Sequence, residues 1–307
     1  MTSGHRHLAI VGPTASGKSA LAMQLAREAG DVEIVSIDSM QVYRGMDIGT
    51  AKPTPEEQAE IRHHLIDLAD PSDDFTVARF QRAFRAAMAG IEQRGQRALL
   101  VGGTGLYLRA VVDDLAIPGQ FPHVRRELET QPDTVALHRR LLALDSLAAG
   151  RMEPSNRRRV IRALEVTIGS GRPFSSYGPG LEAYPPSPFR QIGLHVEPEL
   201  LRQRIADRYA QQMAAGFLEE VRALHFRPED LSRTARQALG YKELLGHLGG
   251  ECDLETALDT AISRTRRFAR RQRVWFRRDP RITWYPADDD NLVAVAAEVL
   301  VDWAGCA

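Results

Sequence analysis

The residues Gly12-Pro13-Thr14-Ala15-Ser16-Gly17-Lys18-Ser19 have the types and spacing of a phosphate-binding loop, G-x-x-x-x-G-K-[ST]. Glycine at positions 12 and 17 permits backbone angles that turn successive N–H groups towards one point, an anion-binding nest. A helix starting just after the loop aims its positive end at the same point. Lys18 adds a full charge there, and the Ser19 hydroxyl is a ligand for Mg²⁺. Such a loop grips a di- or triphosphate and does not specify the reaction. No Asn-Lys-x-Asp element accompanies it, which argues against a GTPase. A conventional ATPase of this type ends a later strand in an acidic Mg²⁺ ligand. Here the apolar run Arg97–Val101 leads instead into Gly102-Gly103-Thr104-Gly105-Leu106-Tyr107, with no carboxylate. The carboxylate at hand is Asp38, at the end of another apolar run in Ser36-Ile37-Asp38-Ser39-Met40-Gln41. Asp38 alone reads equally well as a turn cap. Beside a phosphate loop, at the carboxyl edge of a parallel sheet, Asp38 and Thr104 are expected to face the phosphate held by Lys18.

The elements that would place these residues follow from periodicity. Leu8 to Gly12 reads as a buried strand, with a helix after the loop through about Ala29. Val32–Ile37 and Arg97–Val101 read as the second and third strands. Between them Thr76 to Gly95 has helical spacing, with Val77, Phe80, Phe84, Met88 and Ile91 on one face. After Asp114 the strand signal vanishes. Helical segments at Pro122 to Glu129, Thr134–Leu144 and Asn156 to Ile168 precede a Gly-, Pro- and Ser-rich loop ending at Pro188. Gln191 to Val196 is a strand again, and the remainder reads as mostly helical. The fold class expected is α/β, a parallel sheet flanked by helices of the P-loop NTPase kind, with an all-helical insertion. The core would be residues 1–113 and 189–307, and the insertion 114–188.

Composition sets the outer bounds. The chain has 307 residues, 40 basic and 40 acidic, with 43% hydrophobic residues, which is ordinary for a globular protein. No run approaches the 18 apolar residues of a membrane span, and Leu8–Val11 is too short for a signal-peptide core. Cys252 and Cys306 share no metal or redox spacing and fit reduced thiols; a cytoplasmic monomer without membrane association is expected. Only Lys18, Lys52 and Lys242 are lysine. His63-His64 has no third ligand at metal-site spacing and reads as structural. Net neutrality conceals one concentration of charge. The stretch from Ser263 to Arg278 holds Arg264, Arg266, Arg267, Arg270, Arg271, Arg273, Arg277 and Arg278 and no acid. On a helix these cover about half the circumference, with Ala261, Phe268, Ala269, Trp275 and Phe276 on the other side. Such a face suits a polyanionic backbone, and the aromatics read as core.

Several blocks together resemble the tRNA dimethylallyltransferases, also called tRNA isopentenyltransferases. They are the phosphate loop, the long stretch from Asp38-Ser39-Met40-Gln41 through Lys52-Pro53, and Gly102-Gly103-Thr104-Gly105-Leu106-Tyr107. Arg158-Arg159-Val160-Ile161-Arg162 with its continuation to Val166, Ala238-Leu239-Gly240-Tyr241-Lys242 and Thr265 to Gln272 add to the match. The resemblance runs in order over nearly the whole chain. It implies transfer of a dimethylallyl group from dimethylallyl diphosphate to N6 of adenine 37 in tRNAs reading codons that begin with U, with Mg²⁺ as cofactor. It places adenine recognition at Asp38, Ser39, Met40 and Gln41, a further substrate contact at Thr104, and tRNA contacts at Arg125 and from Arg158 to Arg162. Just before the last segment Glu153-Pro154-Ser155-Asn156 departs from the family's Pro-Asn-Asp pattern.

The chemistry fits these residues. An adenine amino group is a weak nucleophile, its lone pair being delocalised, and Asp38 is the base that would take the N6 proton. Lys18, Mg²⁺ and the loop amides would receive the charge on the leaving pyrophosphate. Thr14 would touch the bridging oxygen, Arg236 would supply a second cation, and Gln41 has the donor and acceptor to read the adenine edge. Three other functions share part of this pattern: a small-molecule kinase, a free-adenylate prenyltransferase and a non-enzymatic RNA-binding NTPase switch.

Overall fold

The computed structural model describes residues 6–287 and 292–304; Cys306 lies outside them. The chain divides into two compact units, Met1–Val112 with Pro186–Ala307, and Asp113–Pro185.

The larger unit is built on β1 (His7–Val11), β2 (Val32–Ile37), β3 (His63–His64), β4 (Arg97–Gly102), β5 (Phe189–His195) and β6 (Ile282–Pro286). They form one parallel sheet in the order β3-β2-β4-β1-β5-β6. Every residue of β1 and β2 is buried, as expected of strands covered on both faces, and both are mostly apolar, with His7, Glu33 and Ser36 the buried polar exceptions. In the amino-terminal half the helices are α1 (Lys18–Ala29), α3 (Val77–Gln93) and α4 (Gly105–Val112), which carry buried residues, and the short α2 (Pro55–Glu60), which has none. In α3 Phe80, Phe84, Met88 and Ile91 are buried, the stripe expected from their spacing. Two strands differ from the sequence expectation. β3 has only two residues and no apolar run, and β6 is an edge strand with Ile282 and Tyr285 buried but Thr283 and Pro286 exposed. Arg97–Gly102 is accordingly the fourth strand of the chain, and the sheet places it between β2 and β1.

The helical unit contains α5 (Pro122–Thr130), α6 (Thr134–Leu144), α7 (Ser146–Gly150) and α8 (Arg157–Ser170). Asp133, Asp145 and Asn156 cap the last three by accepting from backbone N–H groups of the first turns. Val124, Leu128, Leu137, Leu141, Val160, Ile161 and Leu164 form its core. Inside it Glu165 is 1% exposed. It accepts from the Phe121 amide at 2.9 Å and pairs with Arg162 at 2.9 Å and Arg125 at 3.3 Å, the satisfaction a buried carboxylate requires.

The chain then returns to the larger unit through α9 (Pro198–Ala214), α10 (Phe217–His225), α11 (Arg233–Arg236), α12 (Tyr241–Leu248), α13 (Leu254–Phe276) and α14 (Leu292–Ala304). Helix α13 carries the arginine run. Its buried stripe is Ala257, Ala261, Thr265, Ala269, Gln272 and Phe276, while Arg266, Arg267, Arg270, Arg271, Arg277 and Arg278 are exposed. Of the aromatics expected inside, Phe276 is buried and Trp275 packs at the core's edge. Phe268 is only half-buried, with the Arg271 guanidinium 5.7 Å from its ring centre, because it sits on the flank between the two faces.

Candidate active site

The sheet register puts three chain exits side by side. Val11 and Ile37 both align with Gly102, so Gly12, Asp38 and Gly103 leave adjacent strands at the carboxyl edge. Gly12 has φ +152°, and a Cβ there would stand 2.8 Å from the Leu194 carbonyl oxygen. Gly17 has φ +85° and begins α1 with no side chain capping the helix, leaving its first N–H groups open to an anion. Between them Ala15 is held at φ +61°. Ser16 is buried, Pro13 supplies its carbonyl to the Lys18 ammonium at 2.6 Å, and Ser19 is exposed on the first turn. The Ser19 hydroxyl bonds to no described residue and is the side chain that could hold Mg²⁺, a hard cation suited to oxygen ligands.

A second cation lies beside the loop. Arg208, on α9, donates to the Thr14 hydroxyl at 3.1 Å. Desolvation lowers the Lys18 pKa to about 7, helped by the Arg208 charge and opposed by Asp38; burial likewise lowers Arg208 from its ordinary value. Two cations crowded around a nest of amides describe a site short of negative charge. Arg236, expected from sequence as a second cation, stands half-exposed on α11 and pairs with the exposed Asp230 at 3.4 Å.

The basic helix takes part in building the loop. Gln272 accepts from the Thr14 amide at 2.9 Å and donates to the Gly103 carbonyl at 2.8 Å, tying the phosphate loop to the turn after β4. The approach is close enough that a Cβ on Gly103 would fall 2.3 Å from the Gln272 amide nitrogen. On the outer face of α13 a groove of about 270 Å³ is lined by Arg270, Arg271, Val274, Trp275 and Arg278.

Asp38 ends β2. Its Oδ1 accepts from the Met40 amide at 2.7 Å and the Gln41 amide at 3.4 Å, the turn-capping geometry; Oδ2 accepts from no described residue. The Thr104 hydroxyl accepts from the Ser39 amide at 3.2 Å, so Thr104 and the Asp38 turn are directly joined. Gln41 is fully engaged within the protein. Its carbonyl oxygen accepts from the Ser36 hydroxyl at 2.7 Å, and its amide donates to the Thr50 and Ala51 carbonyls at 3.3 and 3.0 Å. Gln41 therefore organises the segment after Asp38, and its hydrogen bonds are already committed away from an adenine edge. Lys52, its side chain 3% exposed, holds the same segment through the Tyr43 carbonyl at 2.8 Å, Asp67 at 2.6 Å and Asp47.

The residues expected to contact tRNA in the helical unit divide in two. Arg158 and Arg159 are exposed at the start of α8, and Arg125 and Arg162 are partly exposed through their pairing with Glu165. Val160 and Ile161 do not present side chains to a ligand: at 0% and 3% exposure they are the buried face of α8, where helical periodicity turns them inward. Sequence reasoning missed Arg208 and Gln272. Gln272 had a detectable signal, a polar residue at helical spacing on the small-residue stripe of Thr265 and Ala269. Arg208 had none, being one arginine among many on an ordinary amphipathic helix.

The chain was compared with known proteins. Residues 41–279 match the model of the IPP transferase family. The tRNA dimethylallyltransferase of Geobacter metallireducens is 46% identical over 297 residues, covering 94% of this chain and 96% of its own. That of Bifidobacterium longum subsp. infantis is 48% identical over 302 residues, covering 96% and 90%. Among solved structures, the tRNA isopentenylpyrophosphate transferase of Bacillus halodurans is 38% identical with TM-score 0.70 and covers 98% of both chains. A eukaryotic dimethylallyltransferase described as acting on tRNA is 26% identical with TM-score 0.77, covering 96% of this chain and 77% of that one. Matched by this family model over residues 41–279 and by these relatives over nearly its full length, the chain belongs to the IPP transferase family.

Proposed function

We propose that the protein is a tRNA dimethylallyltransferase. It transfers the dimethylallyl group of dimethylallyl diphosphate to N6 of adenine 37 in tRNAs reading codons that begin with U. The observation that carries this reading is the Asp38 carboxylate, fixed by its own turn through one oxygen with the other open, beside a phosphate loop bearing Lys18 and Arg208. The C–O bond to the diphosphate breaks as the N6–C bond forms. The N6 proton passes to Asp38, and pyrophosphate leaves with its charge on the loop amides, Lys18 and Arg208. Thr14 would touch the bridging oxygen, a reading supported by its fixed place in the loop through Gln272 and Arg208. Mg²⁺ held by Ser19 and the diphosphate would neutralise part of the leaving group's charge.

The tRNA is a polyanion, and each unit offers basic side chains for its backbone: the exposed arginine face of α13, and Arg125, Arg158, Arg159 and Arg162 in the helical unit. The helical unit is thereby assigned to tRNA contact. A base in the anticodon loop must be swung out to bring N6 to Asp38, with Ser39, Met40 and Thr104 around it. The protein is proposed to act as a cytoplasmic monomer; among the described residues no helix is long and apolar enough to cross a membrane.

The test incubates purified protein with dimethylallyl diphosphate labelled in the allyl group, or with γ-labelled ATP, plus unmodified tRNA or AMP. Allyl label in tRNA at adenine 37 is the expected outcome. Label in AMP alone makes it a free-adenylate prenyltransferase, and phosphoryl transfer from ATP to a small acceptor makes it a kinase.

A further inference from the structure

Residues 38–54 run from the end of β2 to the start of α2 as an irregular segment, and helices far along the chain hold its middle. Glu220, on α10, accepts from three successive backbone amides: Asp47 at 2.9 Å and Ile48 at 2.7 Å through Oε2, and Gly49 at 3.2 Å through Oε1. The Tyr241 hydroxyl, on α12, donates to the same Oε1 at 2.6 Å. Burial holds that phenol protonated far above its ordinary range, so the donor persists at any working pH. Gln212, on α9, donates to the Ile48 and Gly49 carbonyls at 2.6 and 3.1 Å. Phe217 closes the arrangement: a Cβ on Gly49 would stand 2.2 Å from its ring. Four donors on one carboxylate make charge-assisted bonds, stronger than those between neutral groups.

From this anchor the chain leads directly to the aspartate. The Thr50 and Ala51 carbonyls, next after the clamped amides, accept from Gln41. The Gln41 and Met40 amides in turn donate to Asp38 Oδ1. The geometry points to Glu220 as a positioning residue for Asp38: by fixing residues 47–49 it sets the carbonyls that orient Gln41, and through Gln41 the turn that aims the carboxylate. This rests on the reading of Asp38 as the proton acceptor. The phosphate loop is built by other contacts, through Gln272 and Arg208, and lies outside this chain of bonds.

The experiment uses the full chain with Glu220→Ala and Tyr241→Phe. It reads single-turnover transfer at saturating substrates, the Kd for dimethylallyl diphosphate, and hydrogen exchange at the Met40, Gln41 and 47–49 amides. Glu220→Ala is expected to slow transfer at least tenfold and to speed exchange at Met40 and Gln41 at least tenfold, with the diphosphate Kd within threefold of the parent. Tyr241→Phe removes one donor of four and should slow transfer two- to fivefold. An unchanged transfer rate, unchanged exchange at Met40 and Gln41, or diphosphate binding lost in proportion to rate would each overturn the assignment, the last because it marks general unfolding. Should Glu220→Ala not fold, Glu220→Gln, which turns a donor towards the backbone amides, carries the same comparison. If the parent protein transfers no prenyl group, the functional reading fails by itself, while amide exchange still decides the coupling.

Discussion

The chemistry at Asp38 turns on the difference between its two oxygens. Oδ1 is committed to the Met40 and Gln41 amides, which hold the carboxylate's orientation, and Oδ2 is the atom that can accept a proton. Asparagine would keep the first function and lose the second. Asp38→Asn should therefore lower the single-turnover transfer rate by at least about a hundredfold, within the usual range for a lost general base. The Kd values for tRNA and dimethylallyl diphosphate should stay within a few-fold. Near-normal transfer would remove Asp38 as the base; lost diphosphate binding that returns with excess Mg²⁺ would make it a metal ligand. Lys18 gives a second prediction at this scale. Its pKa of about 7 in the free protein leaves it half-charged at neutral pH and largely neutral at pH 8. An arriving diphosphate favours the ammonium form, so binding at pH 8 should take up a proton, and affinity should fall as pH rises from 7. Calorimetry in buffers of different ionisation enthalpy measures the uptake, and Lys18→Met should abolish it. Binding without proton uptake would mean that Lys18 is already charged in the free protein.

Among the elements, α13 has two distinct faces with two distinct tasks. Alanines at 257, 261 and 269 bring its backbone close to the core, and on that same stripe Gln272 reaches both Thr14 and Gly103. Gln272→Leu keeps the volume but leaves a backbone amide and a carbonyl without partners. Each such group costs about 1–3 kcal/mol when buried. The variant should lose stability of about that size by denaturant titration, and its diphosphate Kd should rise several-fold because Thr14 is released. Parent-like stability and affinity would show that Gln272 merely fills space. The same logic explains why Val160 and Ile161 belong to the core of the helical unit although they lie between exposed arginines: on α8 adjacent residues point in different directions.

At the scale of the molecule, equal totals of 40 basic and 40 acidic residues say nothing about where charge is concentrated. Eight arginines without an acid between 263 and 278 leave the rest of the chain with an acidic excess, and the exposed face of α13 with a local positive field. Replacing Arg266 and Arg270 together with alanine should weaken tRNA binding and lower its log–log salt slope by about 1.8, the loss of two duplex phosphate contacts. Dimethylallyl diphosphate binding should be unaffected, since both side chains are exposed and off the buried stripe that carries Gln272, Arg266 touching only the Arg202 carbonyl at 3.4 Å. An unchanged salt slope would place this face in solvent rather than on RNA.

The phosphate loop, the central strands and the helix spacing were legible because each is a local property. Glycines at 12 and 17, the mostly apolar runs of β1, β2 and β4, and the stripe on α3 all express a short-range period or a backbone requirement. β3 and β6 were not, because a two-residue strand and a half-exposed edge strand acquire their identity only by pairing with β2 and β5. The same holds within the site. Asp38 and Thr104 could be inferred from strand ends, whereas Arg208, Gln272 and Glu220 meet the loops across 194, 258 and 171–173 residues of chain. Helical spacing marks Gln272 as a polar residue on a buried stripe, but nothing in the spacing names its partners, and Arg208 and Glu220 carry no such mark. Tertiary packing alone decided which of many arginines meets the phosphate loop, and that Gln41 bonds within its own segment.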